Sequence, residues 1–473
     1  MVGCLAVALA CADGTGSGDA DRGPDPTATA ATAANMEDLD KMTDVELAAE
    51  AYVAGYPLVV SMRTLQRLGG LLGVNHLFWQ PALSGPDSRT VVAPNRDTLY
   101  SIAVLDLRSE PVALTVPEIT DRYFTYQFLD TWTESFAYVG TRATGGEAGT
   151  WLVAPPGWEG EAPPGVEVLR SDTPLVFLLG RFLVDDDADA AEVAAISREV
   201  SLQPLSALTG DDAPAPPPPL GQPAGTPQAI PTDASFFDEL GDALSINPPP
   251  SPAQDALFAA LDARGLGPGS DGSASSSAPP GPPAVRATLD EAAAQGDARI
   301  RAGVADRADL VGGWSGNREV GRYGDDLDLR ALVARIGWGA NVPEEALYPV
   351  ARVDADGDPL DGSSTYRIRF EPGELPPVEA FWSLSVYGPD MFFVPHPSGR
   401  YSIGDRTPDL ALGQDGSLEI VLSATEPDAS GGAPVNWLPV PEGGFVLMLR
   451  LYLPGPELLA GEWDYPSIER TAP

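Results

Sequence analysis

The 473-residue chain carries 68 acidic against 28 basic residues, a formal charge of −40, and 43% hydrophobic residues including 14 Phe and 9 Trp. That length has room for two or three domains with real cores, and the composition suits a globular chain rather than a disordered one. So negative a field repels nucleic acid and anionic membrane surfaces, and an acidic ligand would need a local basic pocket to overcome it.

Residues 1–42 stand apart. The run Val2–Ala12 is apolar and small-residue rich but too short to span a bilayer. Ala8-Leu9-Ala10-Cys11 resembles a lipoprotein cleavage box, although no Lys or Arg precedes it. The segment therefore reads as a clipped export signal and flexible tether, with Cys11 as a lipid-anchor candidate and an extracytoplasmic (periplasmic, outer-envelope or secreted) setting. A disordered cytoplasmic tail is the competing reading. Cys4 and Cys11 are the two cysteines of the chain, so the folded part has neither a disulfide nor thiolate chemistry.

Order is expected from Thr43, which with Glu46 forms a capping box. Leu47, Ala51 and Ala54 follow at helical spacing, and Pro57 is expected to interrupt before a second apolar stretch ending near Leu68. From Thr90 the period becomes two, with strands expected over 99–107, 112–116, 123–129, 151–154, 166–169 and 175–179, and a helix over 188–200. The Pro-rich tract 214–219 reads as a linker or exposed loop. Helices are expected over 236–244, 252–264 and 287–305, with a Gly/Ser/Pro-rich stretch from Gly265 to Pro283. Strands return over 366–370, 381–387, 418–423 and 445–453. Short strands punctuated by Pro and Gly imply antiparallel sandwiches rather than alternating βα units.

Several phrases carry a resemblance. Ala54-Gly-Tyr-Pro-Leu58, Val92-Ala-Pro-Asn-Arg-Asp-Thr-Leu-Tyr100, Arg122-Tyr123, Leu129-Asp-Thr-Trp132, Gly140-Thr-Arg-Ala-Thr-Gly145 and Gly180-Arg181 resemble the bacterial domain of unknown function 1254. Pro376-Pro-Val-Glu-Ala-Phe-Trp-Ser-Leu384, Arg400-Tyr-Ser-Ile-Gly-Asp405, Gln414-Asp-Gly-Ser417 and Asn436-Trp-Leu-Pro439 resemble the domain of unknown function 1214, usually found in the same chain. The likeness covers residues 48–205 and 320–470. It implies a mainly β protein: an immunoglobulin-like sandwich, a helical middle unit and a C-terminal jelly-roll-like sandwich. The expected divisions are 43–208, 209–320 and 321–473. The resemblance implies no reaction, and the heavy Gly/Ser/Pro insertions in the middle depart from it.

The site candidates begin at Asn95, Asp97 and Tyr100, where prolines and polar groups meet the start of a strand. One reading pairs Asp97 with Asp130 or Glu134 for general acid–base work, as in glycoside hydrolysis, with Asn95 and Tyr100 orienting the substrate. The other has Asn95 and Asp97 satisfying backbone donors in a tight turn. Asp130, Trp132 and Glu134 share one face if their strand continues, with Trp132 either stacking on a sugar or lying in the core. Arg142 and Arg181 can clamp a carboxylate or phosphate, or bridge to buried acids. Asp354-Ala-Asp-Gly-Asp358 lacks the Gly and closing Glu of a calcium loop and reads as a turn. No metal or cofactor is assigned: two histidines, His76 and His396, are too few for a histidine-built centre, and nucleophile-elbow, P-loop, zincin and dinucleotide motifs are missing. The favoured function is an exported protein that binds or hydrolyses a polar small molecule or glycan in an inter-domain cleft. The alternative is a non-catalytic envelope module for a protein or polymer partner.

Overall fold

A computed structural model describes residues 39–89, 92–221, 230–267, 282–306, 311–316, 318–408, 410–427 and 436–471. The Cys11 anchor, nearly all of the 1–42 tether and most of the Gly265–Pro283 tract lie outside them. Helix and strand each take 26% of the described residues, so the fold mixes helices with four sheets and is not clearly mainly β.

The first element is one long helix, α1 (Asp44–Leu72), running through Pro57 without a break. Its capping box forms as expected: Thr43 Oγ1 accepts the Glu46 N–H at 3.3 Å, and the Thr43 N–H donates to Glu46 Oε2 at 2.8 Å. A proline inside a helix removes one backbone donor and costs about 3 kcal/mol. Seventeen residues of α1 are buried, Pro57 among them, and fully burying one large apolar side chain returns about 1.5–3 kcal/mol. Packing therefore overrides the local break.

The N-terminal β unit follows: β1 (Phe78–Trp79), β2 (Thr98–Asp106), β3 (Val112–Val116), β4 (Phe124–Asp130), β5 (Ser135–Gly140), β6 (Gly149–Ala154), β7 (Glu167–Arg170), β8 (Leu175–Leu183) and β9 (Ser201–Pro204), with α2 (Ala190–Ser197) and α3 (Leu205–Thr209). They form two sheets, β1-β2-β8-β4-β5 and β7-β6-β3-β9. Leu99, Ala103, Leu105, Phe124, Phe128, Val176 and Phe182 from the first meet Val112, Leu114 and Val153 from the second in one core. Most pairs are antiparallel, but β6 and β7 run parallel.

The helices α4 (Ser235–Leu244), α5 (Pro252–Ala263), α6 (Pro283–Asp306) and α7 (Leu327–Ile336) gather around α1. The helical layer thus draws on both ends of the expected middle unit: α1 and α7 lie outside 209–320 in sequence but share its core through Leu47, Tyr52, Phe236, Ala293 and Ala331.

The C-terminal β unit holds β10 (Trp314–Ser315), β11 (Ala346–Leu347), β12 (Val350–Ala351), β13 (Tyr366–Phe370), β14 (Val378–Tyr387), β15 (Ser402–Gly404), β16 (Leu418–Ser423), β17 (Asn436–Pro439), β18 (Val446–Pro454) and β19 (Ile468–Arg470), with α8 (Pro456–Ala460). A six-stranded sheet built on β12-β18-β14-β15 faces the sheet β17-β16-β13-β19 across a second core. Among the described residues no helix is long and apolar enough to cross a membrane.

Candidate functional site at the seam between the β units

The outer face of the first sheet is read most simply in rows, because residues directly opposite in antiparallel strands share a face. Val104, Phe177 and Leu129 form an apolar row covered by the helical layer. Four positions along, past Ile102, Leu179 and Gln127, Tyr100, Arg181 and Thr125 stand abreast. Thr98, Leu183 and Tyr123 come next, under the C-terminal unit. The change from apolar to polar marks where helices stop covering this sheet and the second β unit starts. Gly180 explains the Gly-Arg pair: on the inner face its missing side chain makes room for Tyr126, whose Cε1 would lie 2.6 Å from an added Cβ.

The opposing surface is the outer face of β14 and β18. Trp382, Leu384, Leu449 and Leu451 point into the second core, so Phe381, Ser383, Ser385, Arg450 and Tyr452 face the first unit. Two strongly polar sheet faces are thereby buried against each other.

Arg181 sits at the centre. It is 6% exposed, and its Nη1 donates to Gln127 Oε1 at 3.0 Å and Asn341 Oδ1 at 3.1 Å. Its Nη2 reaches the Gly339 carbonyl at 3.5 Å, and its guanidinium lies 5.7 Å above the Tyr100 ring. Every one of these acceptors is neutral. Burial opposes the charge, but attraction to the phenol oxygens of Tyr348, Tyr100, Tyr452 and Tyr123, negative when ionised, holds the guanidinium above its ordinary pKa. Asn341 Nδ2 donates to Tyr348, Asn95 Nδ2 donates to Tyr452, both at 2.9 Å, and the two tyrosine hydroxyls meet at 3.3 Å.

Asn95 and Asp97 form a latch. Asn95 Oδ1 accepts the Asp97 N–H at 2.7 Å, the tight Asx turn weighed from the sequence. Both side chains then reach across the seam. Asp97 accepts from Ser383 Oγ at 2.5 Å and from Arg406 Nη2 at 2.8 Å. Arg450, 2% exposed, holds the same loop by its backbone: Nη2 donates to the Ala93 carbonyl at 2.9 Å, beside the Tyr387 hydroxyl that donates to the Pro94 carbonyl at 2.8 Å.

The remaining candidates fall elsewhere. The Asp97 carbonyl takes the Val184 N–H, whereas Asp130 lies opposite Val176, eight positions away along the same strand. At the usual strand rise that is about 26 Å, against the 5–10 Å that a glycosidase pair requires. The two carboxylates therefore cannot flank one bond. β4 ends at Asp130, and residues 131–134 turn, so Asp130, Trp132 and Glu134 do not line one strand face. Asp130 Oδ1 accepts the N–H groups of Trp132 and Glu134 at 2.8 and 2.9 Å. Burial pushes its carboxyl up to about 7, against the lowering effects of the backbone bonds and Arg330. Trp132 is wholly buried, packs on Phe258 and donates its indole N–H to the Pro248 carbonyl, so it offers no face to a sugar. Arg142 pairs with the buried Glu345 at 2.6 Å and stacks on Tyr138, the buried-bridge reading. Glu345 also accepts from the Tyr123 hydroxyl at 2.7 Å. Asp354 Oδ1 takes the N–H groups of Asp356 and Asp358, the arrangement of a turn.

Sequence reasoning missed Gln127, Asn341, Glu345, Tyr348, Arg450 and Tyr452. Each belongs to the seam only because two distant segments meet, and no local spacing signals that.

These features define a mixed protein of two β units with a shared helical layer and a polar, aromatic-lined seam. The family model described as Protein of unknown function (DUF1254) matches residues 74–204, and that described as Protein of unknown function (DUF1214) matches residues 345–456. The chain belongs to the family that pairs these two domains of unknown function. Among solved structures it is similar to the VPA0106 protein from Vibrio parahaemolyticus, at 25% identity and a TM-score of 0.69, covering 91% of this chain and all of that one. An uncharacterized protein from Burkholderia cenocepacia aligns at 12% identity and a TM-score of 0.43 over 92% of this chain and 96% of the other. No curated protein matches the sequence significantly.

Proposed function

We propose that the protein binds a polar small molecule in the seam between its β units, with Arg181 and Tyr100 as the contacting residues. The observation that carries this reading is Arg181: a buried guanidinium bonded to neutral acceptors alone. Isolating a cation from water is costly, and proteins ordinarily set a carboxylate beside it. Tyr100 and Tyr348, both beside Arg181, are partly rather than fully buried. Asn95, Asp97 and Arg406 close the units onto each other rather than act on a substrate. Binding thus has more support than hydrolysis by paired carboxylates, since Asp97 and Asp130 lie beside opposite ends of β8.

The finer topology we propose, immunoglobulin-like for the first unit and jelly-roll-like for the second, is supported by two facing sheets on one core in each. An extracytoplasmic setting is supported by the Ala8-Leu9-Ala10-Cys11 box and the acidic composition. The binding reading is tested by a thermal-shift screen of sugars, organic acids and phosphorylated metabolites. A compound that binds the native state raises its stability by linkage. A hit that stabilises wild type and loses its effect in Tyr100→Phe supports the seam. A screen without hits turns the assignment to an envelope module for a macromolecular partner.

A further inference from the structure

Counting hydrogen-bond donors and acceptors around Arg181 narrows what the seam can hold. Asn341 Oδ1 accepts from Arg181, which fixes that amide so that its Nδ2 points at Tyr348. Asn95 Oδ1 accepts the Asp97 N–H, which fixes the second amide with its Nδ2 on Tyr452. Gln127 gives its Nε2 to Ser135 and the Ala340 carbonyl, so its oxygen must face Arg181. With all three amides oriented, Tyr348 and Tyr452 each receive an amide proton, and one of their own two protons joins the hydroxyls. Among the described residues the other hydroxyl proton has no acceptor. The Arg181 Nε–H is buried and has no partner among the described residues either. The Tyr100 hydroxyl, electrostatically coupled to Arg181, makes no hydrogen bond among the described residues.

The cluster therefore has spare donors beside a buried guanidinium that is hydrogen-bonded to no carboxylate. A sugar hydroxyl can take these protons and give its own to the Tyr100 oxygen, but it brings no charge to set against Arg181. A carboxylate accepts only, takes two or more donors and carries the single negative charge that balances Arg181. A phosphate dianion carries a second charge into a buried site of an already acidic protein, at a greater desolvation cost. Resting on the binding reading above, we infer that the seam takes the carboxylate of a small organic acid. Arg181 Nε, the Tyr348–Tyr452 hydroxyl pair and the Tyr100 hydroxyl are its donors.

Calorimetric titration of the full chain at constant ionic strength tests this, using acetate, butyrate and benzoate, their amides and alcohols, inorganic phosphate and a set of neutral sugars. Monocarboxylates should bind, and their amides and alcohols should not. Tyr100→Phe and Tyr348→Phe, which keep the ring, should each weaken carboxylate binding about tenfold, the worth of one hydrogen bond to a charged group. Their circular dichroism should match wild type. Arg181→Lys should abolish binding, and the two tyrosine variants keep the test valid if that protein fails to fold. Equal binding of amides or sugars, with the same sensitivity to Tyr100→Phe, would overturn the carboxylate assignment while leaving seam binding intact. Preference for phosphate would overturn the monoanion. Carboxylate binding indifferent to both tyrosine variants would place the acid elsewhere, and no binding by any probe would sink both readings.

Discussion

Asp130 shows how one residue changes meaning between chain and fold. In the sequence it is an acid beside a tryptophan; in the structure it is a buried turn residue with a carboxyl pushed up to about 7. An unfolded Asp titrates near 4, so between those values the folded state holds more protons than the unfolded one. Stability from this group is then complete below about pH 4 and is lost as pH rises through 7. Asp130→Asn keeps the Oδ1 acceptor and cannot ionise. Its melting temperature should match wild type below about pH 4 and exceed it increasingly up to pH 8; parallel curves across that range would show that Asp130 does not titrate there. Asp97 behaves differently, because its partners lie across the seam. Asp97→Ala strips Arg406 of its buried partner and Ser383 of its acceptor, and breaking such a pair costs about 3–5 kcal/mol. Denaturant unfolding should show that loss, and Asp97→Asn should retain more stability because it can still accept from Ser383.

Elements were legible where a periodic pattern met clear punctuation. Residues 112–116, 366–370 and 418–423 are strands over those same positions, the second alternating buried and exposed and the other two nearly continuous buried runs. β5 was missed because Ser135-Phe-Ala-Tyr-Val-Gly140 follows β4 across a turn without Gly or Pro. α7 was missed although Asp326 caps it, accepting the Leu329 N–H at 2.8 Å, because its ten residues sit between strand-like phrases. α1 was expected to break at Pro57 and does not, since neighbours on every side hold it. One of those contacts offers a test. An added Cβ at Gly296 on α6 would lie 2.6–3.0 Å from the Tyr52 side chain of α1, and Tyr52 is fully buried. Overpacking costs about 1–3 kcal/mol, more than the ~1 kcal/mol that alanine gains over glycine in a helix. Gly296→Ala should therefore lower the melting temperature by a few degrees, and a rise would show that Tyr52 can move aside.

At the scale of the whole molecule, the seam couples the two family-matched segments into one unit. Arg450, Ser383 and Tyr387 from the second grip the 93–97 loop of the first. Arg450→Met should loosen that grip without touching either core, because its contacts are to Ser385, Tyr387 and the loop carbonyls. Hydrogen exchange should rise along 93–98 and 383–387 and stay unchanged in β3 and β16; uniform exchange would mean that the seam contributes nothing local. The amino-acid sequence by itself determined the paired domains, most strands, the capped start of α1 and the motif around Asn95. Those features rest on local propensity and on short-range periodicity, which a chain carries wherever it folds. The tertiary structure alone decided that Asp97 and Asp130 stand about 26 Å apart, that Trp132 is core, and that Arg181 meets Asn341, Tyr348 and Tyr452. Those outcomes depend on sheet register and on which faces are buried together, and neither is written in the spacing of residues along the chain.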